Sequence, residues 1–246
     1  MVVLERGDSL RLMRQLDHSL ASGRMALEWL DIDGAALAPR LAFAIAWHDV
    51  VWAEEDVEPV WDEGRRAPVT FQTLEGARRR PLYAHGLDRL EQIDAYATLL
   101  ASIHFSRFVD EPEGEEFRQN EEERRERIAA GFGLDAGDPR LAAEAALLRH
   151  FDDLSLFACL CGPESGNPPD WLPLERVADS PDGRRHVPEW IGPDVLTFRP
   201  YPFRRSVHLA IPCRDLPRAR CTSAETLRQA WRDASPRFHE VRIVAA

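Results

Sequence analysis

The sequence is short of cysteine, of positive charge and of long apolar runs. It has four cysteines, Cys159, Cys161, Cys213 and Cys221, and no C-x-x-C pair. That excludes a zinc ribbon and a disulfide framework and fits a reducing compartment. Cys159 and Cys161, in the run LFACLC, read as small core hydrophobes. Lysine and arginine total 31 against 42 acidic residues, a net charge of −11. A nucleic-acid backbone or an anionic membrane demands a basic surface, so neither is expected as the main partner. The one local basic patch, Arg78-Arg79-Arg80, reads as a solvated loop. No apolar run approaches the ~18 residues of a membrane span. The opening MVVLERGDSL carries charge where a signal peptide needs its apolar stretch, so the expected location is the cytoplasm. There is no glycine-rich phosphate loop, no G-x-S-x-G, no H-E-x-x-H and no evident Cys-His nucleophile.

What is present supports a folded, mainly helical chain. At 246 residues and 44% hydrophobic content it can bury a substantial core, as one large domain or as a domain with a smaller appendage. Twelve of 18 prolines fall at or after Pro163, which leaves the first two-thirds free for long helices. MVVLE and SLRLMRQ, around Gly7, read as a hairpin. Helices are expected over DHSLASGRMALEWL with Asp17 as N-cap, over 37–51, over 87–109, over the charged EGEEFRQNEEERRERIAAGF, and over 140–161. The segment 52–86 reads as irregular, and loops of that length are often functional. After the linker, DVLTF, SVHLAIP and HEVRIVA are β-type runs, and SAETLRQAWRDA is a helix opened by Ser223 with Thr226 three residues on. The expected division is a helical core at 15–161, a linker at 162–189, and a small α+β module from 190–246 joined by the hairpin at 1–14.

Polar residues fall on the apolar faces of these helices. In LAFAIAWHDVVW, His48 shares a face with Leu41, Ala44 and Ile45, and Asp49 with Ala42, Ile45 and Ala46. His18 lies with Met25 and Trp29, His104 follows Leu100 and Ala97, and Asp152 follows Leu148 and Ala145. One inward histidine is an ordinary, hydrogen-bonded core residue. Imidazoles and carboxylates from four helices need more, either mutual pairing or a divalent cation that orients them about one point. Helix bundles build metal sites from inward side chains in this way.

The order His, then His-Asp, then Asp resembles the HD superfamily of metal-dependent phosphohydrolases. That resemblance implies an HD-like helical bundle with His18, His48, Asp49 and Asp152 as metal ligands, Asp153 being the rival to Asp152. QLDHSLASGRMALEW (15–29), AIAWHDVVWAEEDVEP (44–59), YATLLASIHFSRF (96–108) and FDDLSLFACLC (151–161) resemble a bacterial family catalogued as domain of unknown function 3891. Pro-Tyr-Pro-Phe at 200–203 and SAETLRQAW at 223–231 are similar to its C-terminal part. Its members usually carry glycine where this chain has Val51, which opens a question about the backbone after Asp49.

Mixed nitrogen and oxygen ligation suits Mn²⁺, Fe²⁺, Co²⁺, Ni²⁺ or Zn²⁺. A metal-activated water would then attack a small-molecule phosphoester, a nucleotide being one form of it. His104 would add a ligand or donate a proton to the leaving group, and Arg107 would grip the phosphate. His150 is a further candidate for the role of His104. The ordinary alternatives are a backbone partner for His104 and an ion pair with Asp49 or Asp152 for Arg107. Glu54-Glu55-Asp56 reads as a solvated loop. The competing reading of the whole chain is a non-catalytic helical module, with a buried His/Asp network or a small-ligand-sensing pocket. Self-association through the charged helix stays open.

Overall fold

The computed structural model describes residues 1–163 and 168–246. The N-terminal hairpin forms as read, with β1 (Val2–Arg6) and β2 (Ser9–Met13) turning at Gly7, whose φ is +54°. Helix α1 (Gln15–Ala26) follows at once. It starts earlier than the sequence suggests, and Asp17 sits in its first turn rather than capping it. Its Gln15 N–H instead donates to Asp56 at 2.5 Å. Asp56 is therefore buried, not part of a solvated loop.

Helix α2 (Pro39–Trp47) ends sooner than expected, and residues His48–Trp52 continue as a 3-10 turn. The 52–86 region holds a two-strand hairpin, β3 (Trp61–Asp62) with β4 (Ala67–Pro68). From residue 76 onward that region is helical. The helix read at 87–109 is two helices, α3 (Gly76–Ile93) and α4 (Ala95–Ser106). The break is Asp94, extended at φ −154°, whose carboxylate accepts the Ala97 N–H and caps α4. Pro81 lies in the second turn of α3, where it leaves the Ala77 carbonyl without its helical donor. The charged α5 (Glu115–Gly131) and the long α6 (Pro139–Leu160) complete the bundle. The second half of α6, from His150 to Cys159, is buried on every side, which makes it the central helix.

The stretch read as a linker carries α7 (Leu174–Ala178) and the first half of β5 (Val187–Gly192), and it buries Leu172 and Val177; its residues 164–167 lie outside the described residues. Then come β6 (Val195–Arg199), β7 (Val207–Pro217), α8 (Ala224–Asp233) and β8 (Arg237–Ile243). Ser223 and Thr226 form the reciprocal cap that opens α8. One six-stranded sheet runs β1-β2-β7-β8-β6-β5, so the two ends of the chain meet through the antiparallel β2–β7 pair. Alternation along the strands decides which face meets which layer. Val207, Leu209, Ile211 and Cys213 join the main core with the bundle, while Leu216, Leu10 and Leu12 meet Leu227 and Trp231 of α8 on the other face. The result is a largely helical bundle with a sheet module joined by the N-terminal hairpin. Among the described residues, no helix is long and apolar enough to cross a membrane.

Candidate metal centre

Three elements converge on one point. His18 comes from α1, His48 and Asp49 from the 3-10 turn, and Asp152 from α6; all four are buried. Their ligand atoms lie within 4.8 Å of one another. Two glycines permit the approach. A Cβ on Gly23 would stand 2.3 Å from the Ala46 Cβ, so α1 and α2 touch backbone to backbone. A Cβ on Gly86 would stand 2.4 Å from Val51. This answers the question raised by Val51: the missing side chain on α3 makes room for it, and Val51 is fully buried there.

The hydrogen bonds fix what each ring can offer. His48 Nδ1 donates to the Ile45 carbonyl at 2.7 Å, which leaves Nε2 pointing into the cluster. That Nε2 is buried and has no hydrogen-bond partner. It stands 3.6 Å from Asp49 Oδ2 and 3.6 Å from Asp152 Oδ1. A histidine held by a backbone carbonyl on one nitrogen and presenting the other is the usual posture of a metal-bound imidazole. His18 is held from the opposite side. With the Ser155 hydroxyl hydrogen assigned to the Asp152 carbonyl (2.9 Å), Ser155 accepts from Ser22 and from His18 Nδ1, each at 2.8 Å. His18 Nε2 then faces Asp49 Oδ2 at 2.7 Å, and a carboxylate is only an acceptor, so a proton or a cation lies between them.

Ligand atoms on one ion, at bonds of about 2.0–2.2 Å, stand roughly 3–4.4 Å apart. The contacts of 3.6, 3.6 and 3.8 Å among His48, His18 and the two aspartates fall within that range. The 2.7 Å His18–Asp49 hydrogen bond has to lengthen and lose its proton, and the widest spacing in the cluster, up to 4.8 Å, has to close slightly. The residues present therefore fit a divalent cation.

Electrostatics follow the geometry. Burial disfavours a charged His48, but Asp49 and Asp152 outweigh it and push its pKa up to about 9. Burial likewise opposes ionisation of Asp152, yet the surrounding His48, His104 and His18 hold it well below the usual carboxylate range. Asp153, the rival candidate, is engaged elsewhere: it is paired with Arg176 through two hydrogen bonds, one of them at 2.8 Å.

His104, on α4, stands beside the cluster with Nε2 3.8 Å from Asp152 Oδ2 and a buried, unpartnered Nδ1. Burial, opposed by Asp152 and reinforced by His48, Arg107 and His18, keeps it neutral at ordinary pH. His150 is not at the cluster. It packs edge-on against Trp29, at 5.4 Å between ring centres. A cavity of about 440 Å³ opens over Asp49, His104 and Asp152. Its walls include Trp52, Phe71, Tyr83 and Trp171, and four arginines, Arg79, Arg107, Arg149 and Arg176. Arg107 makes no ion pair with Asp49 or Asp152; its guanidinium lies 5.0 Å from the Phe108 ring.

Sequence reasoning missed the serines and most of the arginines. Ser22 is four residues after His18 and Ser155 three after Asp152, so helical spacing alone placed both on the inward faces. Arg79, Arg149 and Arg176 carry no such signal, because a surface arginine and a cavity-lining one read alike.

The family described as "Protein of unknown function (DUF3891)" matches residues 1–218. The chain belongs to this family. The likeness seen at 223–231 lies beyond the matched region, which ends before α8. No curated protein and no solved structure matches the chain. The DUF3891 match takes in every residue of the His/Asp cluster and all four cavity arginines.

Proposed function

We propose that this protein holds a divalent transition metal in the His18, His48, Asp49 and Asp152 cluster and binds an anionic small molecule in the adjoining cavity. The chemistry we assign to that pair of sites is hydrolysis of a phosphoester, as in the HD type. One observation carries the reading: His48 Nε2 is buried, oriented by Ile45, and has no hydrogen-bond partner, its nearest carboxylate oxygens standing 3.6 Å away. A buried nitrogen left so costs about 1–3 kcal/mol, which an ion would relieve. A divalent cation there supplies Lewis-acid polarisation of a phosphoryl oxygen and acidifies water. The chain's own groups do the rest. Arg107, unpaired at the cavity edge, binds the phosphate through its guanidinium fork. His104, kept neutral by burial, suits proton acceptance or hydrogen-bond donation better than delivery of a proton. The aromatic walls exclude water and seat an apolar or ring-bearing leaving group.

A second reading has its own support. His18, Asp49, Ser155 and Ser22 form a chain of hydrogen bonds closed among protein atoms. Such a network can set helix packing without catalysis, and the cavity then serves as a ligand-sensing pocket. Metal analysis of protein purified without chelator separates the two. The metal centre requires close to one equivalent of transition metal in the wild type and its loss in His48→Ala. A metal-free protein, with stability unchanged in that variant, leaves only the structural network. A metal-loaded protein that cleaves no generic phosphoester with added Mn²⁺ or Ni²⁺ keeps the centre and removes the hydrolase.

A further inference from the structure

The cavity's charge is at odds with the rest of the molecule. The chain carries a net charge of −11, yet four arginines line this one opening against Asp49 and Asp152. Two of the four are already balanced. Arg176 is paired with Asp153, and Arg79 stands 3.5 Å from Glu111. The other two have no such partner. Neither Arg107 nor Arg149 makes an ion pair or a hydrogen bond among the described residues.

Their positions bring them together. Arg107 follows directly on α4, three residues after His104. Arg149 lies on α6 one turn before Asp152 and Asp153. Both stand exposed on the cavity wall; partial burial and then the charge of Arg149 disfavour a charged Arg107 while Asp152 and Asp153 favour it, so the two guanidiniums are within electrostatic reach of each other. Two like charges facing one opening repel; water screens part of that repulsion, and an anion seated between them would relieve the rest.

We propose that Arg149 joins Arg107 in a two-guanidinium clamp on the ligand's phosphate, and that the site therefore selects phosphomonoesters over phosphodiesters. This rests on the phosphoester reading above and names the class within it. A monoester offers three non-bridging oxygens and two negative charges. One oxygen can face the His/Asp cluster while the other two meet the two forks. A diester offers two such oxygens and one charge, so one guanidinium stays unmatched. Arg149 touches the bound anion and acts as a specificity-determining residue.

The test uses uncleavable probes and the full chain. Phenylphosphonate, a dianion in mildly alkaline buffer, is compared with its monomethyl ester, a monoanion of nearly the same shape. Binding is followed by calorimetry and by the fluorescence of Trp52 and Trp171, which line the cavity. The dianion should bind at least about tenfold more tightly, the worth of one charge-assisted hydrogen bond. Arg149→Ala should bring the two probes to similar affinity, and Arg149→Lys should restore part of the preference. Equal affinities in the wild type overturn the clamp, and so does a preference that survives in Arg149→Ala. Metal content measured on the same samples keeps the two proposals apart. A chain that takes up no metal but keeps an Arg149-dependent preference supports the clamp and defeats the metal centre. A metal-loaded chain with no preference defeats the clamp alone.

Discussion

Protons and metal should compete for one nitrogen. In the metal-free protein Nδ1 of His48 is committed to Ile45, so the extra proton sits on Nε2, the atom that faces the cluster. Although burial works against it, Asp49 and Asp152 bring that proton's pKa up to about 9. A cation has to expel it. Below that pKa each unit of pH weakens metal binding tenfold, about 1.4 kcal/mol. From pH 8 to pH 6 the dissociation constant should rise about 100-fold for one displaced proton.

The same group makes an opposite mark on the metal-free fold. Its folded pKa, about 9, lies above the ordinary 6.5. The stabilisation is therefore fully present below pH 6.5 and is lost as pH rises through 9, a span worth about 3 kcal/mol. Metal-free protein should lose Tm from neutral to alkaline pH while the Tm gained on adding metal grows. Calorimetric titration between pH 6 and 8, in two buffers of different ionisation enthalpy, gives both the affinity and the protons released. A level affinity with no proton release refutes the reasoning.

Three other perturbations have defined outcomes. Gly86→Ala drives a methyl into the backbone and side chain of Val51 and should cost about 1–3 kcal/mol by urea unfolding; an unchanged midpoint would mean the two segments can part at no cost. Gly23→Ala forces α1 from α2 at Ala46; a similar loss of stability, together with weaker metal binding, is expected because His18 and Asp49 move apart. If metal binding is untouched, the helix spacing does not set the site. Burial, then His186, lowers the pKa of His150 to about 4. Its stabilisation is present above pH 6.5 and is lost as pH falls towards 4, roughly 2–3 kcal/mol by pH 4.5, and His150→Phe should flatten that part of the Tm profile.

The sequence by itself determined the helical class, the hairpin at Gly7, the capped α8 and the inward placement of His18, His48 and Asp49, because these follow from periodicity and local capping. Local chemistry also held the break at Asp94, which is a plain N-cap signal inside an apolar run. Tertiary structure alone decided the rest. The 3-10 turn at His48 answers to the packing of Val51 on Gly86, residues far apart in the chain. Asp152 was separated from Asp153 by Arg176, and Asp56 was drawn inward to cap α1. Nothing in sequence distinguishes Arg79, Arg149 and Arg176 from solvated arginines, whereas Arg107 was marked by its place one turn after His104. Periodicity reports which face a residue occupies, whereas a partner is chosen by distance, and distance exists only once the helices have packed.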